Sequence, residues 1–406
     1  MPRPFAEWIF GPVFDIIRLM KKSIALVLAA AALSTAPAAD LEFVRDLIAI
    51  PSVSEDVPQV NRAVRLMKGY LESRGVYCAV ETTPQGREVL YASVTPGKGH
   101  EFVLAPHLDV VPAADPSQFE MKRDGDRITG RGSNDCKGRA ASVAEVLVSL
   151  AGSGLSVGCL FGSDEEIGGE ASRWMVEQKG YGPTKMAIVA DTGGNKLVYA
   201  HKGHAIFMVR ARGRSGHSSA PWACDDSITK VARGYMRVRE EWDRRHPLAD
   251  DRWCDVLTPT MVNADAGAKN IIPGAVDMAL NLRSVREEAE AEALELLRRE
   301  MEGCEVELER SSPPVSSDPG HPLMQRLRKT MGETLGMDVP MERMFAATDA
   351  RCFVRCGVPI AMVGAVGGGA HAADEWESVS SLDAMRDYLA RFLRQEASRQ
   401  VSGTAR

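Results

Sequence analysis

The chain has 406 residues, of which 45% are hydrophobic and 26% are charged. This composition is typical of a folded globular protein, and it excludes both a disordered chain and a fibrous one. The formal net charge of −6 argues against a nucleic-acid-binding surface, which needs clustered lysine and arginine. We therefore expect a small charged metabolite as partner, and no nucleic acid.

The first 39 residues have the pattern of a targeting segment. Two lysines follow Met20, an apolar run covers residues 23–33, and small residues occupy 36–39, as at a signal-peptidase site. The apolar run is shorter than the ~20 residues of a membrane-spanning helix, so no stable membrane span is expected. We predict an upstream extension at 1–19, a signal peptide at about 20–39, and a periplasmic or secreted protein. The alternatives are an amphipathic helix, a retained anchor, or a cytoplasmic protein.

Strand and helix patterns alternate from residue 41 onward. Helices are predicted from residue 41 to a stop at Pro51, and at 60–74, 138–151 and 169–179, with strands at 77–81, 89–94, 101–104, 156–162 and 186–190. Such alternation predicts an α/β fold, with a doubly wound sheet that carries helices on both faces. Ligands of such sheets collect at the carboxyl ends of the strands.

The pattern changes near Gly203. Apolar and polar residues alternate in 205–213, 275–283 and 304–310, which predicts a sheet buried on one face only, and a helix is predicted at 226–245. We therefore predict an inserted α+β domain at 205–309. The main domain would consist of 40–204 and 310–406, resuming through the linker SSPPVSSDPG and a helix at 323–335.

Five short segments near predicted strand ends carry side chains that can bind metal ions. In APHLDVVP, His107 and Asp109 stand two apart on extended chain and so face the same way. The other segments are GRGSNDCKG with Asp135, GSDEEIGG with Glu165 and Glu166, VADTGG with Asp191, and GGGAHAADEW with His371.

Each segment alone has an ordinary structural explanation. A single histidine near a strand end is usually a packed or surface residue, and adjacent glutamates usually begin a solvated helix. An aspartate after glycine usually belongs to a turn. Histidines, aspartates and glutamates that all occur at predicted strand ends of one sheet are better explained by a shared metal site.

These segments, in this order, resemble those of the zinc amidohydrolases that include acetylornithine deacetylase, succinyl-diaminopimelate desuccinylase, aminoacylase and carnosinase. The resemblance covers about residues 41–395 and implies two zinc ions, for which Co²⁺ or Mn²⁺ would be possible substitutes. It implies that Asp135 bridges the ions, that Asp109 orients His107, and that Glu165 is the general base. The implied ligand sets are His107, Asp135 and Asp191 for one ion, and Asp135, Glu166 and His371 for the other.

The resemblance also implies a cis peptide bond after the bridging aspartate, between Asp135 and Cys136. Cys136 departs from the Asp or Met that is common at this position, and we favour a packed thiol over an additional ligand. The eight cysteines show no zinc-ribbon spacing and do not decide the redox compartment. Cys352 and Cys356 could pair on one helix face, although a packing role is favoured.

In the family, the inserted domain forms a homodimer, and a histidine matching His217 reaches the partner's active site to stabilise the oxyanion. Asn270 and Arg283 resemble residues that hold the substrate. Arg351, in AATDARCF, resembles the arginine that grips the substrate carboxylate.

Two of these assignments have structural alternatives. In these alternatives, His217 is a turn residue, and Arg351 is a surface arginine paired with Asp349 or Glu342. No role is assigned to His201 or His204, which either line the cleft or shape the hinge.

The expected function is hydrolysis of a short peptide or an N-acyl amino acid by a metal-activated bridging water. The resemblance implies that Asp191, where some members of the family carry Glu, mildly favours a dipeptidase, an aminopeptidase or an acetylornithine deacetylase. The predicted signal peptide favours a peptidase over the cytosolic biosynthetic enzymes. A cytosolic acetylornithine deacetylase or succinyl-diaminopimelate desuccinylase is the alternative. A non-catalytic binding protein is a remote alternative, because the base and every ligand are present.

Overall fold

A computed structural model describes residues 39–403. The predicted upstream extension and nearly all of the predicted signal peptide lie outside this range. Within it, no helix has the length and apolar character needed to cross a membrane.

Eight α-helices occur in the part of the chain that the structure describes. In chain order, α1 to α8 span Leu41–Ile48, Val57–Glu72, Lys137–Leu150, Glu170–Glu177, Ser227–Arg245, Ala289–Glu300, Pro322–Leu335 and Val379–Gly403. Helix α2 begins earlier than predicted because Asp56 caps it, accepting a hydrogen bond from the backbone of Gln59, and because Pro58 suits the first turn.

Nineteen strands occur in the same residues. They are β1 Tyr77–Thr82, β2 Glu88–Ser93, β3 Phe102–Ala105, β4 Lys122–Asp124, β5 Arg127–Thr129, β6 Val157–Phe161, β7 Met186–Val189, β8 Leu197–His201, β9 Gly203–Arg212, β10 Gly216–His217, β11 Val256–Ala264, β12 Ile271–Ile272, β13 Ala275–Ser284, β14 Cys304–Ser312, β15 Val315–Ser316, β16 Met341–Met344, β17 Ile360–Met362, β18 Gly367–Gly368 and β19 Trp376–Ser378.

The large sheet has the order β1-β2-β6-β3-β7-β17-β8-β15, with β16 also paired to β8. Its centre is parallel, because β3 pairs in parallel with both β6 and β7, and β17 pairs in parallel with β7. The carboxyl ends of β3, β6 and β7 therefore meet at one edge of the sheet, as the alternating pattern predicted.

Both faces of this sheet are covered. On one face, Val103 and Ala105 of β3 belong to a core cluster with Met175 of α4. On the other, the Phe102 ring lies edge-on to Phe392 of α8, with the centroids 5.8 Å apart. Successive side chains of one strand thus pack on opposite faces, as the period of two requires.

A second, four-stranded antiparallel sheet has the order β11-β13-β9-β14. Its core cluster contains Phe207 and Leu280 from the sheet, Val238 and Trp242 from α5, and Leu297 from α6. This is the predicted α+β arrangement, with helices on one face of an antiparallel sheet. The fold class is confirmed: a doubly wound α/β domain with an inserted α+β lid domain. The boundaries at 205 and 309 stay a prediction.

A small antiparallel sheet of order β18-β19-β5-β4 was not predicted. Its β18–β19 connection carries His371, whose backbone φ of 66° is left-handed, an uncommon conformation for a residue other than glycine. This sheet thereby brings His371 to the ends of the main strands.

Candidate metal centre

Three parallel strands deliver most of the predicted metal-binding side chains. His107 follows β3, Asp191 follows β7, and Glu165 and Glu166 lie in the short helical turn Glu165–Ile167 after β6. Since these strands are neighbours in the sheet, the side chains meet although they lie far apart in sequence. Asp135 reaches the same place from the loop before α3.

His107 is buried, and its two ring nitrogens have different partners. Nδ1 lies 3.0 Å from the backbone oxygen of Asp109 and 3.4 Å from its Oδ1. Nε2 lies 2.9 Å from Asp135 Oδ1 and 3.6 Å from Asp191 Oδ1. A proton on Nδ1 leaves the Nε2 lone pair facing the carboxylates, which is the tautomer that a metal ligand requires.

The Asp135 carboxylate lies between two histidines. Its Oδ1 contacts His107 Nε2, whereas its Oδ2 lies 3.3 Å from His371 Nε2. His371 Nε2 is also 3.0 Å from Glu166 Oε2. Asp135, Glu166 and His371 thus offer ligand atoms within 4.8 Å of one another. The peptide bond from Asp135 to Cys136 is cis, as the resemblance implied.

Cys136 belongs to the second group of converging side chains, with His107 and Asp191. The thiol is buried and its Sγ donates to the backbone oxygen of Ala190 at 3.1 Å. Burial raises the pKa of Cys136, which keeps the thiol protonated. This geometry agrees with a packed, hydrogen-bonded thiol. All eight cysteines, including Cys352 and Cys356, are free.

Asp109 links His107 to the turn that carries the two glutamates. Its carboxylate accepts hydrogen bonds from the backbone nitrogens of Glu165 at 3.1 Å and Glu166 at 3.2 Å, and from Ser54 Oγ at 2.6 Å. Burial would raise the pKa of Asp109, but the hydrogen bonds from His107 and Ser54 outweigh it, and the pKa is lowered.

The carboxylates of the cluster repel one another. Burial raises the pKa of Glu165 and of Asp191, and the neighbouring Asp135 carboxylate adds to the shift of Asp191. The hydrogen bond with Asp135 raises the pKa of His371 to about 9, with burial opposing it and Glu166 adding to it. Several carboxylates in a largely buried space form an anionic cavity that cations would stabilise.

The donor set fits divalent metal ions. Glu166 Oε1 is buried and has no hydrogen-bond partner, so one carboxylate oxygen of the cluster has an acceptor site free. Imidazole nitrogens and carboxylate oxygens are ligands that zinc accepts. The two groups of converging side chains, one around His107 and one around His371, therefore suit divalent metal ions.

Arg351 is only 7% exposed and is therefore no surface residue, contrary to the alternative interpretation. Its Nη2 donates to Asp349 Oδ1 at 3.2 Å and to Glu165 Oε1 at 3.0 Å. Of the two partners expected for a surface arginine, Asp349 does pair with Arg351. Glu342 pairs with Lys196 instead.

The inserted domain brings His217 and Asn270 together. Asn270 Nδ2 lies 3.3 Å from His217 Nε2, and His217 Nδ1 lies 2.8 Å from Ser219 Oγ. Arg283 is exposed near the start of β9, opposite His204 in the pairing of β13 with β9. Among residues 39–403, no hydrogen bond or ion pair joins these three residues to the cluster around Asp135.

His201 and His204 differ in their surroundings. His201 is fully buried, its Nδ1 contacts the backbone oxygen of Lys202 at 3.0 Å, and its Nε2 accepts from the backbone of Thr348 at 3.5 Å. His201 therefore supports the segment that leads to Arg351. Burial lowers its pKa to about 4. His204 is partly buried, and its Nδ1 has no partner in the described part of the chain.

Four buried charged residues of the site were not predicted from the sequence. Glu375 accepts hydrogen bonds from the loop that precedes Asp135, and Arg131 pairs with Glu375 at 2.7 Å. Arg139 lies between Glu377 at 3.2 Å and Asp191 at 3.9 Å. The motif GRGSNDCKGR contains both arginines and GGGAHAADEWE both glutamates, but no local pattern indicates burial.

The sequence pattern of peptidase family M20/M25/M40 matches residues 103–395. A succinyl-diaminopimelate desuccinylase from Gluconobacter oxydans is 30% identical over 394 residues, covering 88% of this chain and 97% of that protein.

Solved structures share the fold. An M20 family metallo-carboxypeptidase from Sulfolobus solfataricus superposes with a TM-score of 0.72 at 16% identity, covering 87% of this chain and 98% of that one. A dinuclear metal-binding M20 peptidase from Bacillus subtilis gives 0.62 at 17% identity, covering 87% and 96%. The family resemblance is thus confirmed: the chain belongs to peptidase family M20/M25/M40 and is an enzyme that hydrolyses amide or peptide bonds.

Proposed function

We propose that this enzyme uses two metal ions, zinc in the first instance, to hydrolyse a short peptide or an N-acyl amino acid. The observation that carries the proposal is the position of Asp135, whose two carboxylate oxygens lie 2.9 Å from His107 Nε2 and 3.3 Å from His371 Nε2. A carboxylate placed between two ligand groups can serve both ions at once.

The proposed ligands fall into two sets that share Asp135. His107 and Asp191 complete one set, and Glu166 and His371 complete the other. Asp109 orients His107 because its backbone oxygen accepts a hydrogen bond from His107 Nδ1. When bound, the ions would polarise the scissile carbonyl and increase the acidity of water, which is the usual contribution of a two-metal centre.

Glu165 is the proposed general base. Its backbone nitrogen is held by Asp109, and its carboxylate is held by Arg351. Glu165 takes a proton from the attacking water and delivers it to the nitrogen of the leaving amine. In the metal-free chain, burial raises the pKa of this carboxylate and the Arg351 guanidinium opposes the shift.

His217 is the proposed oxyanion donor, acting in the active site of a partner subunit in a homodimer. Within one chain it contacts Asn270 and Ser219 and not the cluster around Asp135, so a donor role needs either a second subunit or a movement of the lid. Asn270, Arg283 and Arg351 are proposed to hold the substrate, the arginines through its carboxylate groups.

We also propose export to the periplasm or secretion, with cleavage near residue 39. Asp40 caps α1 by accepting from the backbone of Phe43 at 3.1 Å, so the cleaved chain would keep the first turn of its first helix intact. Mass spectrometry of the N-terminus would detect this cleavage. An intact N-terminus in a secretion-competent host would favour the cytoplasmic alternative.

The substrate class is tested by measuring amino-acid release from dipeptides, N-acetyl amino acids and N-succinyl amino acids by zinc-loaded protein. We expect turnover of short peptides. Preference for N-succinyl or N-acetyl substrates would favour the deacetylase and desuccinylase alternative, and absence of turnover after metal loading would contradict the proposal.

A further inference from the structure

The Glu375 side chain, which follows His371 in the sequence, is buried against the loop that precedes the proposed bridging residue Asp135. Its Oε1 accepts hydrogen bonds from the backbone nitrogens of Gly132 at 3.0 Å, Asn134 at 2.9 Å and Asp135 at 2.9 Å. Its Oε2 accepts from Arg131 Nη1 at 2.7 Å. The backbone around Asp135 therefore wraps around a single carboxylate, as backbone nests wrap around anions.

Arg131 extends this arrangement to His371. While Nη1 of Arg131 pairs with Glu375, its Nη2 donates to the backbone oxygen of His371 at 3.2 Å. One buried ion pair thus contacts the backbone of two proposed ligands that are far apart in sequence.

The side chain of Asp135 forms hydrogen bonds or ion pairs only with the two proposed ligand histidines within the described residues. Its two oxygens face His107 and His371, and no further hydrogen bond to this carboxylate occurs among the residues that the structure describes. Apart from these two histidines, the position of the carboxylate depends on the Asp135 backbone, whose nitrogen donates to Glu375.

The two proposed ligand histidines are supported differently. The ring of His107 is held at Nδ1 by Asp109. His371 Nδ1 has no hydrogen-bond partner within residues 39–403. Apart from its Nε2 contacts with the proposed ligands Asp135 and Glu166, His371 is held through its backbone oxygen, which accepts from Arg131. Asp191, on the His107 side, faces Arg139 instead.

We propose that Glu375, together with Arg131, is a positioning residue that sets the affinity for the metal ion on the Glu166–His371 side of Asp135. The inference rests on the two-metal function proposed above. The ion on the His107–Asp191 side depends less on Glu375, because Asp109 and Arg139 support that side independently.

The test uses Glu375→Asp, which keeps the buried charge opposite Arg131 but withdraws the carboxylate from the loop. Arg131→Lys, which keeps the charge but loses the fork that reaches His371, is the second variant. The control is Glu396→Asp, because Glu396 is another buried carboxylate, paired with Arg326 at 2.7 and 2.8 Å, on α8. Chelator-stripped proteins are titrated with Zn²⁺ by calorimetry, and the thermal unfolding of each metal-free protein is measured.

We expect Glu396→Asp to bind two ions, each with the same affinity as wild type does. Glu375→Asp and Arg131→Lys should bind one ion normally and the other about 10–100-fold more weakly, the range seen when residues that support metal ligands are changed. Wild-type affinity for both ions in the two variants would overturn the inference. The inference would also be overturned if the affinities for both ions fell in proportion to a lower thermal stability of the metal-free variant. A wild-type protein that binds a single ion would instead contradict the proposed function.

Discussion

Nη2 of Arg351 donates to Glu165 Oε1 at 3.0 Å and to the backbone oxygen of Glu165 at 2.9 Å. The side chain proposed to hold the substrate carboxylate therefore also holds the side chain proposed to take the proton. No hydrogen bond in the described part of the chain involves Nη1 of Arg351, so this group remains for a substrate.

Arg351→Lys distinguishes the proposed contact with the substrate carboxylate from the contact with Glu165. Lysine keeps a positive charge near Glu165 but loses the second nitrogen, so the enzyme should lose its preference for substrates with a free carboxylate over the matching carboxamides. One charged hydrogen bond corresponds to about 1.5–3 kcal/mol, or roughly 10–100-fold in this preference. The measurement is kcat/KM for both substrates. An equal loss for both would mean that Arg351 acts only through Glu165.

Glu165→Gln should abolish most of the activity while the metal content is unchanged. Glutamine cannot accept the proton of the attacking water, and general-base catalysis contributes about 10²–10⁴-fold. Turnover and zinc content are measured on the same preparation. Glu170→Gln, an exposed position in the first turn of α4, is the control and should keep wild-type turnover. Wild-type turnover by Glu165→Gln would remove Glu165 from the proposed mechanism.

Mixing two inactive variants tests whether His217 acts across a dimer. Glu165→Gln and His217→Ala subunits should each be inactive alone, whereas a mixed dimer would combine an intact Glu165 with the partner's intact His217 in one of its two sites. Denaturing and refolding the variants together should therefore restore part of the activity. If His217 acts within its own chain, every site of the mixture lacks one residue and activity stays absent.

His201 should make stability depend on pH. Burial lowers its pKa in the folded protein to about 4, below its ordinary value of 6.5. The unfolded chain therefore binds a proton between these values that the folded protein does not, so the stabilising contribution is complete above pH 7 and is lost as the pH falls. The loss should reach roughly 2 kcal/mol by pH 5.

Urea unfolding of the metal-free protein at pH 7 and pH 5 measures this effect. His201→Asn should lower the free energy of unfolding at pH 7, because its contacts with Lys202 and Thr348 are weakened. The difference in the free energy of unfolding between wild type and His201→Asn should then shrink by roughly 2 kcal/mol from pH 7 to pH 5. His217→Asn, at an exposed histidine, should follow the wild-type pH dependence. The same difference between His201→Asn and wild type at both pH values would show that His201 does not contribute this pH dependence.

The strand-end segments could be predicted because each joins a short apolar run to polar residues and glycine. β3, β6 and β7 are buried throughout, and their ends gave the positions of His107, Glu165 and Asp191 within a few residues. Strand β11 was missed for the opposite reason. It is an edge strand that contains Pro259 and exposes most of its residues, so it lacks the alternation of a half-buried strand.

The supporting charges could not be predicted, because their burial depends on contacts between distant segments. Glu375 and Glu377 follow His371 in an acidic stretch that resembles a solvated loop, yet their partners Arg131 and Arg139 lie more than two hundred residues earlier. The small sheet, in which β19 pairs with β5, brings these segments together. Sequence spacing identifies metal-binding side chains, whereas the groups that hold them emerge from tertiary structure.

Zinc content per chain tests the bridging role of Asp135 most directly. Plasma mass spectrometry on dialysed protein should find about two ions per wild-type chain, about one in His371→Ala, and almost none in Asp135→Ala, because loss of a shared ligand weakens both sites. Two ions retained by Asp135→Ala, or a single ion in the wild-type chain, would contradict the two-metal account.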